Sequence, residues 1–151
     1  MSSVPSLPTM RSLRGRTFGA RWNDRYGVFV HGDTPPTGED WNSVLALWRE
    51  VPDPKSYRVL VYSRGAAPNA AQRADLSKVL GGARPRIALV TPSLIPRMAG
   101  KAFALFIPDF RVFDIGELDL ALSYLELGSD RARVERMLSE LRQDVYGTLN
   151  A

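Results

Sequence analysis

Apolar residues recur along the chain with two alternating periods, one suited to strands and one to helices, and the order of those periods predicts an α/β fold. Phe18 to Trp22 and Tyr26 to His31 are short, rich in aromatic and β-branched residues, and joined by Asn23-Asp24, so they predict an antiparallel hairpin. Gly32-Asp33-Thr34-Pro35-Pro36 breaks the chain. Thr37-Gly38-Glu39-Asp40 has a capping-box-like form ahead of a helix whose Trp41, Val44, Leu45 and Trp48 fall at i, i+3, i+4 and i+7, and Pro52 and Pro54 mark its end.

The same alternation continues. Arg58 to Ser63 predicts an interior strand feeding the loop Arg64-Gly65-Ala66-Ala67-Pro68, with Asn69 as N-cap of a helix over Ala70 to Leu80 that buries Leu76, Val79 and Leu80 and stops at Gly81-Gly82. Arg86 to Thr91 predicts a further interior strand, and Pro92-Ser93 and Pro96 lead into a helix carrying Met98, Ala99, Ala102, Phe103 and Phe106 that Pro108 closes. Phe110 to Asp114 alternates as a strand with one face in the core, and Leu118 to Leu125 predicts a short helix. Ser129-Asp130 would cap a longer helix with Val134, Met137, Leu138, Leu141 and Val145 on one face. The order β-β-α-β-α-β-α-β-α-α implies a mixed, mostly parallel sheet that opens with an antiparallel hairpin and is covered by helices.

Composition narrows the class. At 151 residues the chain is the size of one domain with one core. With no cysteine it has no disulfide framework, thiolate metal site or cysteine nucleophile, and the cytoplasm is the expected compartment. No apolar run is long enough to cross a bilayer, no apolar stretch at the N-terminus suits a secretory signal, and no membrane insertion is expected. The net charge of +4 comes from Arg11, Arg14, Arg16 and Arg21, since the rest of the chain balances sixteen basic against sixteen acidic residues. Residues 1–16 therefore read as a flexible basic arm ahead of a nearly neutral domain over 17–151, and nucleic acid is not an expected partner.

Candidate chemistry is sparse. His31 is the sole histidine, and with Asp33 two residues away it reads as half of a satisfied polar pair. The sequence predicts no metal site, no cofactor and no enzymatic role. Trp22, Trp41 and Trp48 fit core packing better than a base-stacking platform. The apolar stripe of the last helix is expected to pack on its own sheet, with a second subunit as the alternative. Ser63-Arg64-Gly65 follows a strand and precedes a helix, where backbone N–H groups and the helix dipole can hold an anion.

Element order, and the run Val59-Leu60-Val61-Tyr62-Ser63 leading to Pro68-Asn69-Ala70-Ala71-Gln72-Arg73, resemble the STAS domains of anti-sigma-factor antagonists, over about Phe18 to Leu127. In the antagonist branch this loop carries a short Asp-x-Ser whose serine is phosphorylated by a partner kinase. Here no Asp-x-Ser is present, and the nearest hydroxyl is that of Ser63 at the strand end. The resemblance implies a regulatory module that binds a protein, as a homodimer or within a signalling complex, through Ser63, Arg64, Asn69, Gln72 and Arg73. Thr91, Ser93 and Arg97 of the next loop would lie at the same sheet edge. The alternative is a small anionic ligand, nucleotide or lipid-like, held between the two loops by Arg64 and Arg97.

Overall fold

The computed structural model describes residues 9–64, 66–92 and 109–147. The six strands β1 (Arg11–Arg14), β2 (Phe18–Trp22), β3 (Tyr26–His31), β4 (Arg58–Tyr62), β5 (Arg86–Thr91) and β6 (Phe110–Asp114) lie side by side in chain order. The first three run antiparallel to one another and β3 to β6 are parallel. The mixed, mostly parallel α/β architecture expected from the sequence is therefore present. The predicted helix around Met98 to Phe106 lies outside the described residues, as do Ser93 and Arg97.

Consecutive parallel strands that are also neighbours need crossovers of one hand, and these place their helices on one face of the sheet. Helices α1 (Gly38–Glu50) and α2 (Ala70–Leu80) accordingly share a core with Phe18, Trp22, Phe29, Val59 and Ile87. The opposite face, carrying Val28, Val30, Leu60, Ala88 and Val90, is covered by α3 (Leu118–Tyr124) and α4 (Arg131–Tyr146). The stripe of α4 is spent there: Val134, Met137, Leu138 and Leu141 are buried against their own sheet, which removes that stripe as a dimer contact. Val79, expected in the core, is only half-buried beside Leu76 and Leu80.

Two local expectations change. Arg11–Arg14, read as part of a flexible arm, form an edge strand on β2 because Leu13 packs on the first core and Arg11 lies over the Trp22 ring and bridges Asp24. Asp130 stands at the start of α4 without a side-chain cap, because a 3-10 turn at Gly128–Asp130 leads into the helix and Arg131 N–H donates to Gly128. No helix of the described residues is long and apolar enough to cross a membrane.

A buried carboxylate ties α1 to the strand edge. Asp40 Oδ2 accepts from the Thr17 N–H at 2.7 Å and from the Thr17 hydroxyl, and Oδ1 accepts from Arg16 N–H at 3.3 Å. A Cβ on Gly15 would sit 2.4 Å from Asp40 Oδ1, so only glycine lets the chain pass. Burial opposes ionisation of Asp40, but the bonds from Thr17 and Arg16 and the Arg16 charge outweigh it and hold the carboxyl below its usual value. Asp40→Ala would strand the buried Thr17 donors and is expected to cost about 2–4 kcal/mol; urea unfolding of the two proteins measures it. A depressed carboxyl stabilises the fold above the ordinary carboxylate range and loses that contribution as pH falls through its folded value, so the difference should shrink in acid.

Candidate functional site

Parallel pairing aligns the carboxyl ends of β3, β4 and β5, and the residues following the pairs Val30↔Tyr62 and Tyr62↔Val90 are His31, Ser63 and Thr91. This row is polar yet buried, at 9%, 2% and 0% exposure. Strand alternation turns it toward the α1 and α2 face, since Phe29, Val61 and Leu89 two residues earlier line the same cavity as His31 and Ser63. The structure thus joins two predicted site residues, Ser63 and Thr91, to a third, His31, that the sequence reading set aside.

The loop after β4 is fixed by its own hydrogen bonds. The Ser63 hydroxyl donates to the Ala66 carbonyl at 2.7 Å. Asn69 and Gln72 cap α2 reciprocally, Asn69 Oδ1 accepting from Gln72 N–H at 2.8 Å and Gln72 Oε1 from Asn69 N–H at 2.9 Å. Gln72 Nε2 reaches Pro36 O at 3.0 Å, Trp41 Nε1 donates to Gln72 O at 3.0 Å, and Arg73 Nη1 donates to Pro68 O at 2.8 Å. Asn69, Gln72 and Arg73 therefore build the loop and the first turn.

Arg64 is likewise engaged. It pairs with Asp33 through Nε at 3.2 Å and Nη2 at 2.8 Å and stacks 3.9 Å from the centre of the Tyr146 ring, and the Asp33 hydrogen bond raises its already high pKa. Asp33 is thus the partner of Arg64 and not of His31, which corrects the sequence expectation: β3 ends at His31, and the bend that follows carries Asp33 to the surface beside Arg64. Tyr146 also donates its hydroxyl to the His31 carbonyl, so the end of α4 pins β3 and the β4 loop together.

Next to this row lies a cavity of about 70 Å³ bounded by Phe29, Val61, Leu89, Trp41 and Leu76, with Ala66 to Pro68 along the loop. His31 Nδ1 has no hydrogen-bond partner among the described residues. Burial pushes the imidazole down to about 4, against the raising influence of Asp40, so His31 is neutral near pH 7. The sequence carries a signal for this: counted from Phe29, His31 falls on the inward parity of a strand that is buried on both faces.

The unfolded imidazole takes its proton near 6.5 and the folded one near 4, so between those values the unfolded state binds more protons and stability falls as pH falls. The loss should reach roughly 3 kcal/mol across that window. His31→Phe is expected to flatten the profile there while leaving the more acidic Asp40 contribution in place, as read by denaturant unfolding in a pH series. Comparison with known proteins found no family model, no curated protein and no solved structure that matches this chain.

Proposed function

We propose that this domain is a non-enzymatic regulatory module of STAS-like type that docks a protein partner on the loop after β4 and the exposed side of α2. The observation that supports it most is the pre-organisation of that segment. Six side-chain hydrogen bonds, made by Ser63, Asn69, Gln72, Arg73 and Trp41, hold it in one conformation before any partner arrives. A surface ordered in advance loses less conformational entropy on binding, which is where much of the cost of association lies.

The outward face follows from helix geometry. Ala71, Asp75 and Lys78 are exposed at i, i+4 and i+7, presenting small and charged groups with no bulky side chain to block a partner's approach. Arg73 is tied to the Pro68 carbonyl and Arg64 to Asp33 and the Tyr146 ring, so the docking contacts fall to the exposed helix residues. A small anionic ligand at Arg64 would have to displace both Asp33 and the Tyr146 ring, which makes this the weaker reading.

Ala71→Glu combined with Lys78→Glu tests the docking face without touching a supporting contact. Capture of binding proteins by the full chain from lysate of its native host, compared with this variant, should yield a specific protein that the variant loses by at least tenfold at unchanged thermal stability. Equal capture by both proteins would remove α2 as the docking face.

A further inference from the structure

The two edges of the sheet are finished differently. β1 is guarded, with polar Ser12 and charged Arg14 exposed along it, as edge strands that stay unpaired are. β6 ends the sheet on the other side with Phe110, Val112 and Phe113 half-buried. Its only cation, Arg111, is held 4.8 Å from the centre of the Tyr124 ring of its own domain.

The register shows which backbone groups of β6 are open. Ile87, opposite Phe110, donates its N–H to the Asp109 carbonyl, so the odd-numbered residues bond to β5 and the even-numbered ones point away from it. Of these, the Asp114 N–H is taken by Glu117 Oε1 at 2.8 Å. Val112, at the middle of the strand, has neither a neighbouring strand nor a side chain on its outward N–H and C=O among the described residues. On the sheet face above this edge α3 packs over β5 and β6, with Tyr124 against Phe113 and Arg111. One turn earlier on the same side of α3 stands Leu120, the one large apolar side chain left exposed among the described residues, at 55%.

We propose that β6 is a dimer contact: two copies of this chain join edge to edge through antiparallel β6 strands, with Val112 on the two-fold axis and the Leu120 side chains meeting across it. Antiparallel self-pairing sets each residue against the one equally far from the axis. Each Val112 N–H then donates to the Val112 carbonyl of the other copy, and each Arg111 falls opposite a Phe113 ring, which keeps the cation on an aromatic face. Centring the pair on Arg111 instead would set like charges face to face.

Strand spacing favours a second copy over a lone peptide. Neighbouring strands lie about 4.8 Å apart, so the axis is about 2.4 Å outside β6, and α3, above the groove between β5 and β6, is about as far inside it. The two α3 helices come to roughly 10 Å apart, the separation of helices in contact, and Leu120 fills that contact from both sides. A single added strand would leave Leu120 in water. Because α2 covers the opposite face of the sheet, this contact and its test stand apart from the docking face.

Sedimentation equilibrium of the full chain over a dilution series should show a monomer–dimer equilibrium. Leu120→Glu, which puts two carboxylates where the leucines meet, and Val112→Pro, which removes the open N–H without touching a bond to β5, should each raise the dimer dissociation constant at least tenfold. The chain has no cysteine, so the register can be read separately. Val112→Cys places two thiols across the axis at the Cα separation of a hydrogen-bonded antiparallel pair, about 5.5 Å, which a disulfide spans. Mild oxidation should link it as a dimer at least tenfold faster than Ser12→Cys on the guarded edge at equal concentration.

An unmodified chain that stays monomeric at every concentration would overturn the proposal and leave the edge to a strand of another protein. So would Leu120→Glu dimerising as tightly as the unmodified chain, or Val112→Cys cross-linking no faster than Ser12→Cys. Should Val112→Pro fail to fold, Leu120→Glu and the two cysteine variants decide the question.

Discussion

The central parallel strands are buried on both faces, and the rest of the molecule follows from the need to cover them. β3 is buried along its whole length, and Val59, Leu60, Tyr62, Ala88 and Val90 are almost wholly shielded from solvent. A strand order equal to the chain order sends α1 and α2 to one side, so the other side must be covered by residues from beyond β6. That requirement accounts for α3 and for the long stripe of α4, whose Val134, Met137, Leu138 and Leu141 close the second core.

The same constraint creates the polar row at the strand ends. A strand sealed on both sides carries whatever stands at its last position into the interior, and here those positions hold His31, Ser63 and Thr91. Ser63 finds the Ala66 carbonyl and turns the chain into α2, whereas His31 Nδ1 finds no partner among the described residues and gives up its charge instead. Desolvation and loop-building are thus two outcomes of one register. Asp40 lies a short way off with the opposite outcome, keeping its charge because Thr17 and Arg16 offer three donors.

Much of this fold was legible from periodicity. The hairpin, α1 with its Thr37 cap, the Asn69 cap of α2 and its Gly81 stop all stand where the sequence places them. β1 was hidden because four residues with three polar side chains carry no alternation strong enough to outweigh the basic, serine-rich composition around them; only Leu13 and the Arg11–Trp22 contact reveal it. The placement of the candidate residues was legible only in part. Ser63, Arg64, Asn69, Gln72 and Arg73 do gather at one sheet edge, but the sequence could not show that their polar atoms face each other, since Gln72 reaches Pro36 and Arg64 reaches Asp33 across distances that only the folded sheet brings together. His31 was misjudged because proximity in sequence suggested Asp33, whereas the strand ends at His31 and the bend beyond it takes Asp33 to the surface, against Arg64.

Tyr146 joins residues far apart in order of synthesis. Its hydroxyl reaches the His31 carbonyl across 115 positions of sequence, and its ring lies beneath Arg64. Contacts of such separation form late, after the entropy of closing a long loop has been overcome. The strand ends and the β4 loop are therefore held in their final arrangement only once α4 has emerged and docked, and a molecule that recognises this edge distinguishes a finished fold from a nascent one.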